Sequence, residues 1–116
     1  AYFRELARVS DRVHVEVIGQ TYEHRPLIMA SFTSPANYAN RETIRQAHLK
    51  RATSAEGDNV PMIVQIGANV HGNEPSGGES TLLTAYYLTA SESEETQKWL
   101  ADMVIFVEHI LNHDGR

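Results

Sequence analysis

The stretch Met62–Ser80, Met-Ile-Val-Gln-Ile-Gly-Ala-Asn-Val-His-Gly-Asn-Glu-Pro-Ser-Gly-Gly-Glu-Ser, constrains the fold more than any other part of the chain. An apolar run rich in branched residues, Met62 to Ile66, stops at Gly67, passes through His71-Gly72-Asn73-Glu74 and gives way to Ser-Gly-Gly and a helical pattern. That order reads as strand, tight loop, helix. On a loop leaving the carboxyl end of a buried strand, a histidine and a carboxylate three residues apart can both face one point above the strand. His71 and Glu74 are therefore candidate metal ligands, two of the three protein ligands that catalytic zinc usually takes. Gly67 and Gly72 are expected to supply backbone conformations that a branched residue resists, and Gly77 and Gly78 to let the helix start come close to the site.

The rest of the chain supplies a sheet for that loop. Val13, Val15 and Val17 alternate with His14, Glu16 and Ile18, a half-buried strand ending at Gly19. After the polar turn Gln20–Arg25, Pro26 opens the apolar run Leu27–Phe32, an antiparallel partner. Thr33 to Pro61 is polar, with a helix expected between an Asn40 N-cap and about Ala52, carrying Ile44, Ala47 and Leu49. Ser54–Pro61 reads as a surface loop. Beyond the central loop, Leu82, Leu83, Tyr86, Tyr87 and Ala90 recur at spacings of three and four, so a helix over Ser76–Thr89 should pack on the sheet. Ser91 and Glu94 have capping-box spacing ahead of a short helix closed by Trp99 and Leu100. Met103–Leu111 is the last strand, and Val104-Ile105-Phe106-Val107, apolar on both faces, places it centrally. Strand, helix, strand implies a right-handed parallel crossover. The expected fold class is α/β, a mixed β-sheet with an antiparallel N-terminal hairpin and a parallel β-α-β crossover.

At 116 residues and 41% apolar content the chain fits one domain with a buried core. Ten basic and fifteen acidic residues give a net charge of −5 without a Lys/Arg stripe, which argues against nucleic acid as a partner. No apolar run approaches the roughly 18 residues of a membrane span, and Ala1-Tyr2-Phe3-Arg4 lacks a signal peptide's apolar segment, so a soluble chain is expected. With no cysteine, any metal must be held by His, Asp or Glu. A secreted or periplasmic compartment and a cytosolic one are both compatible with that composition. The chain stops at a turn signal, Leu111–Arg116, directly after a strand-like run, where a natural domain rarely ends.

The segment Ala68-Asn69-Val70-His71-Gly72-Asn73-Glu74-Pro75-Ser76-Gly77-Gly78-Glu79 resembles the zinc-binding signature of the zinc carboxypeptidases, peptidase family M14. Three further stretches are similar to that family in its own order. Ile18–Leu27 looks like its early Gly-x-Ser/Thr-x-Glu-Gly-Arg-Pro hairpin, with His24 in place of glycine. Ser34-Pro35-Ala36-Asn37 through Ile44-Arg45 looks like an insertion common in bacterial members. Asn112-His113-Asp114-Gly115-Arg116 looks like its Asn-Pro-Asp-Gly segment, with His113 in place of proline.

The resemblance covers residues 1–116 and implies the N-terminal part of a single catalytic domain with a phosphorylase/hydrolase-like fold. It implies a Zn2+ cofactor, with His71 and Glu74 as the first two ligands and Asn73 where some members contact substrate through an arginine. The family's third ligand, oxyanion-stabilising arginine, Asn-Arg pair, tyrosine and general-base glutamate would lie beyond Arg116. The complete protein would be a zinc metallocarboxypeptidase acting on peptide or protein C-termini, and these 116 residues alone would be inactive. Two alternatives stay open: a zinc deacylase of the aspartoacylase or succinylglutamate desuccinylase type, whose signature also runs through Gly-x-His-Gly-Asn-Glu, and a non-catalytic binding module on the same fold.

The remaining candidates have plainer readings. His14, His24 and His48 fit surface or hydrogen-bonding roles. His109, late in the last strand, and His113, just past it, lie near a strand's carboxyl end, where ligands gather, but structural roles are favoured for both. Glu79 is expected in a helix's first turn and Glu92, Glu94 and Glu95 at a solvated helix start. Tyr86, Tyr87 and Trp99 are expected in the core. Strands lacking neighbours would expose edges and apolar faces, inviting self-association.

Overall fold

The computed structural model describes residues 1–54 and 59–116, so the expected Ser54–Pro61 loop falls partly outside the described residues, at Ala55–Asp58. The chain begins with a helix that the apolar pattern did not announce, α1 (Tyr2–Val9), which buries Phe3 and Leu6. Glu5 and Arg8 pair at 2.6 Å on its exposed side. An eight-residue helix is too short to be stable alone and forms by packing its apolar stripe.

The antiparallel hairpin of β1 (Val13–Gln20) and β2 (Pro26–Phe32) is present, with Val13 opposite Phe32 and Val17 opposite Ile28. A bulge between Val17 and Gly19 ends the expected alternation, and Val17 and Ile18 are both exposed. In the connecting turn the Thr21 N–H donates to the Arg25 carbonyl at 2.9 Å and the Thr21 hydroxyl accepts from the Arg25 N–H at 3.0 Å. His24 sits there at φ 60°, a left-handed conformation that costs a residue with a Cβ about 1–2 kcal/mol. Glycine removes that strain but gives back part of it as unfolded-chain entropy. His24→Gly is therefore expected to raise unfolding free energy by about 0.5–1 kcal/mol in urea denaturation. A lower midpoint would show that the imidazole makes compensating contacts.

A short helix not foreseen in the polar region, α2 (Pro35–Ala39), is capped by Ser34, whose Oγ accepts the Asn37 N–H at 3.2 Å, with Pro35 at the first helical position. It runs into α3 (Arg41–Thr53). Asn40 stands at the junction as expected, but its side chain donates back to the Ala36 carbonyl at 3.0 Å instead of capping α3. Ile44 and Ala47 are buried, whereas Leu49 is half exposed.

β3 (Met62–Gly67), α4 (Pro75–Ala90), α5 (Glu94–Asp102) and β4 (Met103–Glu108) complete the chain. β3 and β4 are parallel from Met62 opposite Met103 to Gly67 opposite Glu108, and β4 is antiparallel to β2 on its other side. The described strands form one mixed sheet in the order β1-β2-β4-β3. β4 is central, with Val104, Ile105 and Val107 buried, and it ends at Glu108 rather than Leu111. β3 is not the buried strand expected: among the described residues it pairs on one side only, and Met62 and Ile63 are exposed at the edge.

Phe3, Leu6, Val13, Phe32, Ala85, Leu88, Leu100, Ile105 and Val107 share one core, where α1, α4 and α5 pack on one face of the sheet. α4 meets that core through Gly78, Thr81, Ala85 and Leu88, leaving Leu83, Tyr86 and Tyr87 exposed. Small side chains let the helix approach closely, so packing selects the stripe of small residues over the bulkier one expected. Trp99 lies half buried against the core, as anticipated. α5 is capped by Ser93, not Ser91: Ser93 Oγ accepts the Thr96 N–H at 3.2 Å, and Ser91 Oγ instead accepts from the Thr96 hydroxyl at 2.9 Å. On the opposite face, Met29, Ile63, Val104 and Phe106 floor an open cleft of about 330 Å³ beside α3. No described helix is long and apolar enough to cross a membrane.

Candidate metal centre

The loop from Ala68 to Glu74 leaves the carboxyl end of β3 and delivers the chain to the first turn of α4. It is held at its first residue. The Ala68 N–H donates to the Glu108 carbonyl at 3.0 Å, and the Ala68 carbonyl accepts the Leu111 N–H at 2.9 Å. Within it the Glu74 N–H donates to the His71 carbonyl at 3.1 Å, a turn that brings both side chains to one side. Pro75 suits the first helical position because no N–H is needed there. Glu74 occupies the N-cap position without capping through its side chain, so its carboxylate is free to face His71.

His71 Nδ1 and Glu74 Oε2 lie 3.4 Å apart, both largely exposed. Two donors each about 2.0–2.1 Å from one tetrahedral zinc stand about 3.4 Å from each other, so the pair fits two corners of such a site. A neutral imidazole and a carboxylate are also the donor types that zinc takes in the absence of thiolates. Among the described residues no third His, Asp or Glu joins them to make a group of three. Asn73, between the two ligand candidates, is exposed on the same loop.

The glycines act through close approach, not through special dihedral angles, since none among the described residues has positive φ. A Cβ at Gly72 would strike the backbone of Asn112, Gly115 and Arg116, and one at Gly67 would come within 2.9 Å of the Leu111 side chain. Gly78 lets α4 lie against Asn69, whose Oδ1 would be 2.6 Å from an added Cβ. The left-handed residue in the loop is Asn69, at φ 53°.

The segment after β4 ties the loop to the hairpin. The Asn112 N–H donates to the Asn69 carbonyl at 3.0 Å, while Asp114 accepts from Arg25 at 2.6 Å and from the Glu23 N–H at 3.0 Å. Burial raises the Asp114 pKa, but the bonds from Glu23, Thr21 and Arg25 outweigh it and hold the carboxyl below its ordinary value. The hairpin turn and the Asn-His-Asp-Gly stretch, far apart in sequence, therefore meet at one ion pair beside the candidate site.

The other titratable candidates go elsewhere. His109 turns inward, its Nδ1 2.7 Å from the Thr81 hydroxyl and its ring 5.4 Å from that of Phe3. Burial, with Arg116 and His113 nearby, pushes its pKa down and favours the neutral ring. His14 stacks on Tyr38 at 3.2 Å, and His48 Nε2 lies 2.8 Å from the Pro61 carbonyl. His24 is in the hairpin turn, and His113 follows β4 without joining the ligand pair. Glu79 is the fifth residue of α4, past its first turn, and lies 3.5 Å from Arg116. Glu92 pairs with Arg12 at 3.0 Å, while Glu94 and Glu95 occupy the first turn of α5. Asn69 was missed by sequence reasoning. Its signal was an asparagine two residues before the histidine at a strand exit, where left-handed backbone is common.

A model of the zinc carboxypeptidase family matches residues 1–116. No curated protein gives a significant match. Among solved structures, the fold is similar to a provisionally named carboxypeptidase from Burkholderia mallei, with a TM-score of 0.71 at 15% identity. The alignment covers 97% of this chain and 24% of that one, so the chain spans less than a third of its structural relative. With every one of its residues inside the matched family model, the chain belongs to the zinc carboxypeptidase family.

Proposed function

We propose that the chain is the N-terminal part of a single metallocarboxypeptidase catalytic domain, which releases the C-terminal residue of peptides or proteins and holds Zn2+ through His71 and Glu74. The observation that carries this reading is the 3.4 Å approach of His71 Nδ1 and Glu74 Oε2 on the loop between β3 and α4. When bound, zinc polarises a scissile carbonyl and acidifies a water molecule. His71 and Glu74 would hold the ion. Glu74, being anionic, would also reduce the net charge there and temper that acidification. Asn73 would present its amide to the substrate backbone from between the ligands. With two ligands and no general base of the family pattern, residues 1–116 would bind zinc weakly and hydrolyse nothing alone.

The test is made on the complete protein, with peptides blocked at the amino terminus and N-acyl amino acids offered side by side. Release of the C-terminal residue, abolished by a chelator and restored by zinc, is expected. Hydrolysis of the N-acyl amino acids alone would favour the deacylase. No hydrolysis of either, with zinc-binding unchanged by His71→Ala, would leave a scaffold without chemistry.

A further inference from the structure

We propose that Asn69 is a positioning residue for the metal-ligand loop, its side-chain amide fixing the backbone that carries both ligands. The proposal rests on the reading of His71 and Glu74 as zinc ligands. Ligating histidines usually gain their orientation from a second partner on the other ring nitrogen. Here, among the described residues, the polar contact recorded for each ligand side chain is with the other ligand. Within these residues, the backbone beneath them is what places the two side chains.

Asn69 sits inside that backbone. It is 6% exposed, and its Nδ2 donates to the carbonyl of Glu74 at 2.7 Å and, more weakly, to that of Gly72 at 3.4 Å. One amide thus joins the residue bearing the second ligand to the residue following the first. Its own carbonyl accepts the Asn112 N–H at 3.0 Å, which anchors the brace to the segment after β4. Its left-handed φ of 53° turns the chain so that the amide points back into the loop. The Oδ1 is buried without a hydrogen-bond partner, against Gly78 of α4. An unpartnered buried oxygen is unfavourable, and the hydrogen bonds made by the amide's donor end are what offset it.

Glycine and aspartate both accept left-handed backbone, but neither replaces the donor: glycine has no side chain, and an ionised aspartate only accepts. Asn69→Gly should therefore keep the fold and loosen the ligands. The experiment is a zinc titration of the complete protein against a competing chelator, with NMR of the Asn69 side chain and with His71→Ala as control. Asn69→Gly is expected to weaken zinc binding about 10- to 100-fold, the range for lost second-shell partners, with little change in the unfolding midpoint. Asn69→Asp should weaken it at least as much. In the parent chain the Asn69 side-chain NH₂ protons should exchange slowly with water and shift on zinc addition.

If His71→Ala leaves the zinc response intact, the ligand reading itself fails. If His71→Ala removes the response but Asn69→Gly titrates like the parent, the positioning role is overturned and the ligand reading stands. Fast exchange of the Asn69 side-chain protons in the parent chain would overturn it too, even if the glycine variant does not fold.

Discussion

A Gly72→Val chain is expected to lose the docking of residues 112–116 against the metal-ligand loop. A Cβ at Gly72 would lie 2.5 Å from both the Arg116 nitrogen and the Asn112 carbonyl oxygen, and closer still to the Gly115 carbonyl carbon. These are backbone atoms, which cannot rotate aside as the tip of a flexible side chain can. Accommodating valine in place would cost about 1–3 kcal/mol of overpacking strain. The other route is release of the segment, with loss of the Asn112–Asn69 hydrogen bond and of the Asp114 contacts to Arg25 and Glu23. The neutral Asn112–Asn69 hydrogen bond contributes about 0.5–1.5 kcal/mol, and the contacts to the charged Asp114 carboxylate add to it, so neither route is cheap. Hydrogen exchange distinguishes the two: release predicts fast exchange of the Leu111 and Asn112 amides, whereas strain predicts a lower unfolding midpoint with those amides still protected. Gly19→Ala is the control, because its Cβ would meet only the Leu27 side chain, at an ordinary 3.8 Å. A Gly72→Val chain with both the midpoint and the exchange of the parent would refute the close-approach account.

That result bears on what a sequence discloses. His71-Gly72-Asn73-Glu74 was legible because its signal is local: the residue types name the chemistry, and the flanking strand and helix patterns fix where the loop lies. The central place of β4 was legible too, from Val104–Val107, apolar at every position. Gly72 was legible as important but for the wrong physical reason. Its role depends on the backbone of residues 112–116, some forty positions away, and no local pattern encodes that proximity. The buried face of α4 failed similarly. Leu83, Tyr86 and Tyr87 make the stronger apolar stripe, yet the closeness of Asn69 and His109 demands the small residues Gly78 and Thr81 on the inner side. β3 read as buried because its composition suits a strand covered on both faces, whereas it is the sheet edge among the described residues. His24 shows the converse. The family pattern places glycine there, and φ 60° supplies the reason, so a departure visible in the sequence became interpretable only with the dihedral angle.

Phe32→Ala should give the largest loss of stability. Phe32 is fully buried and closes β2, opposite Val13 of β1 and Ile105 of β4, so it touches the core where all three strands meet. The next residue leaves the strand little freedom to collapse into the space. Thr33 is also buried, and its hydroxyl lies within hydrogen-bonding reach of the carbonyls of Met103, at 2.8 Å, and Leu100, at 3.2 Å. A cavity that cannot relax puts the cost near the usual range for phenylalanine, about 3–5 kcal/mol. Against a typical total of about 5–15 kcal/mol that is a large share of the fold. Urea denaturation should show a much lower midpoint with an unchanged slope, and a loss below about 1 kcal/mol would mean that the strands close around the gap. The same variant separates stability from site geometry. β2 holds β4 in register, and the segment after β4 supports the ligand loop. Phe32→Ala should therefore weaken zinc binding only in proportion to the population unfolded, whereas Asn69→Gly should weaken it in a chain that remains folded. Equal losses of zinc affinity per unit of lost stability in the two variants would reduce Asn69 to an ordinary contributor to the fold.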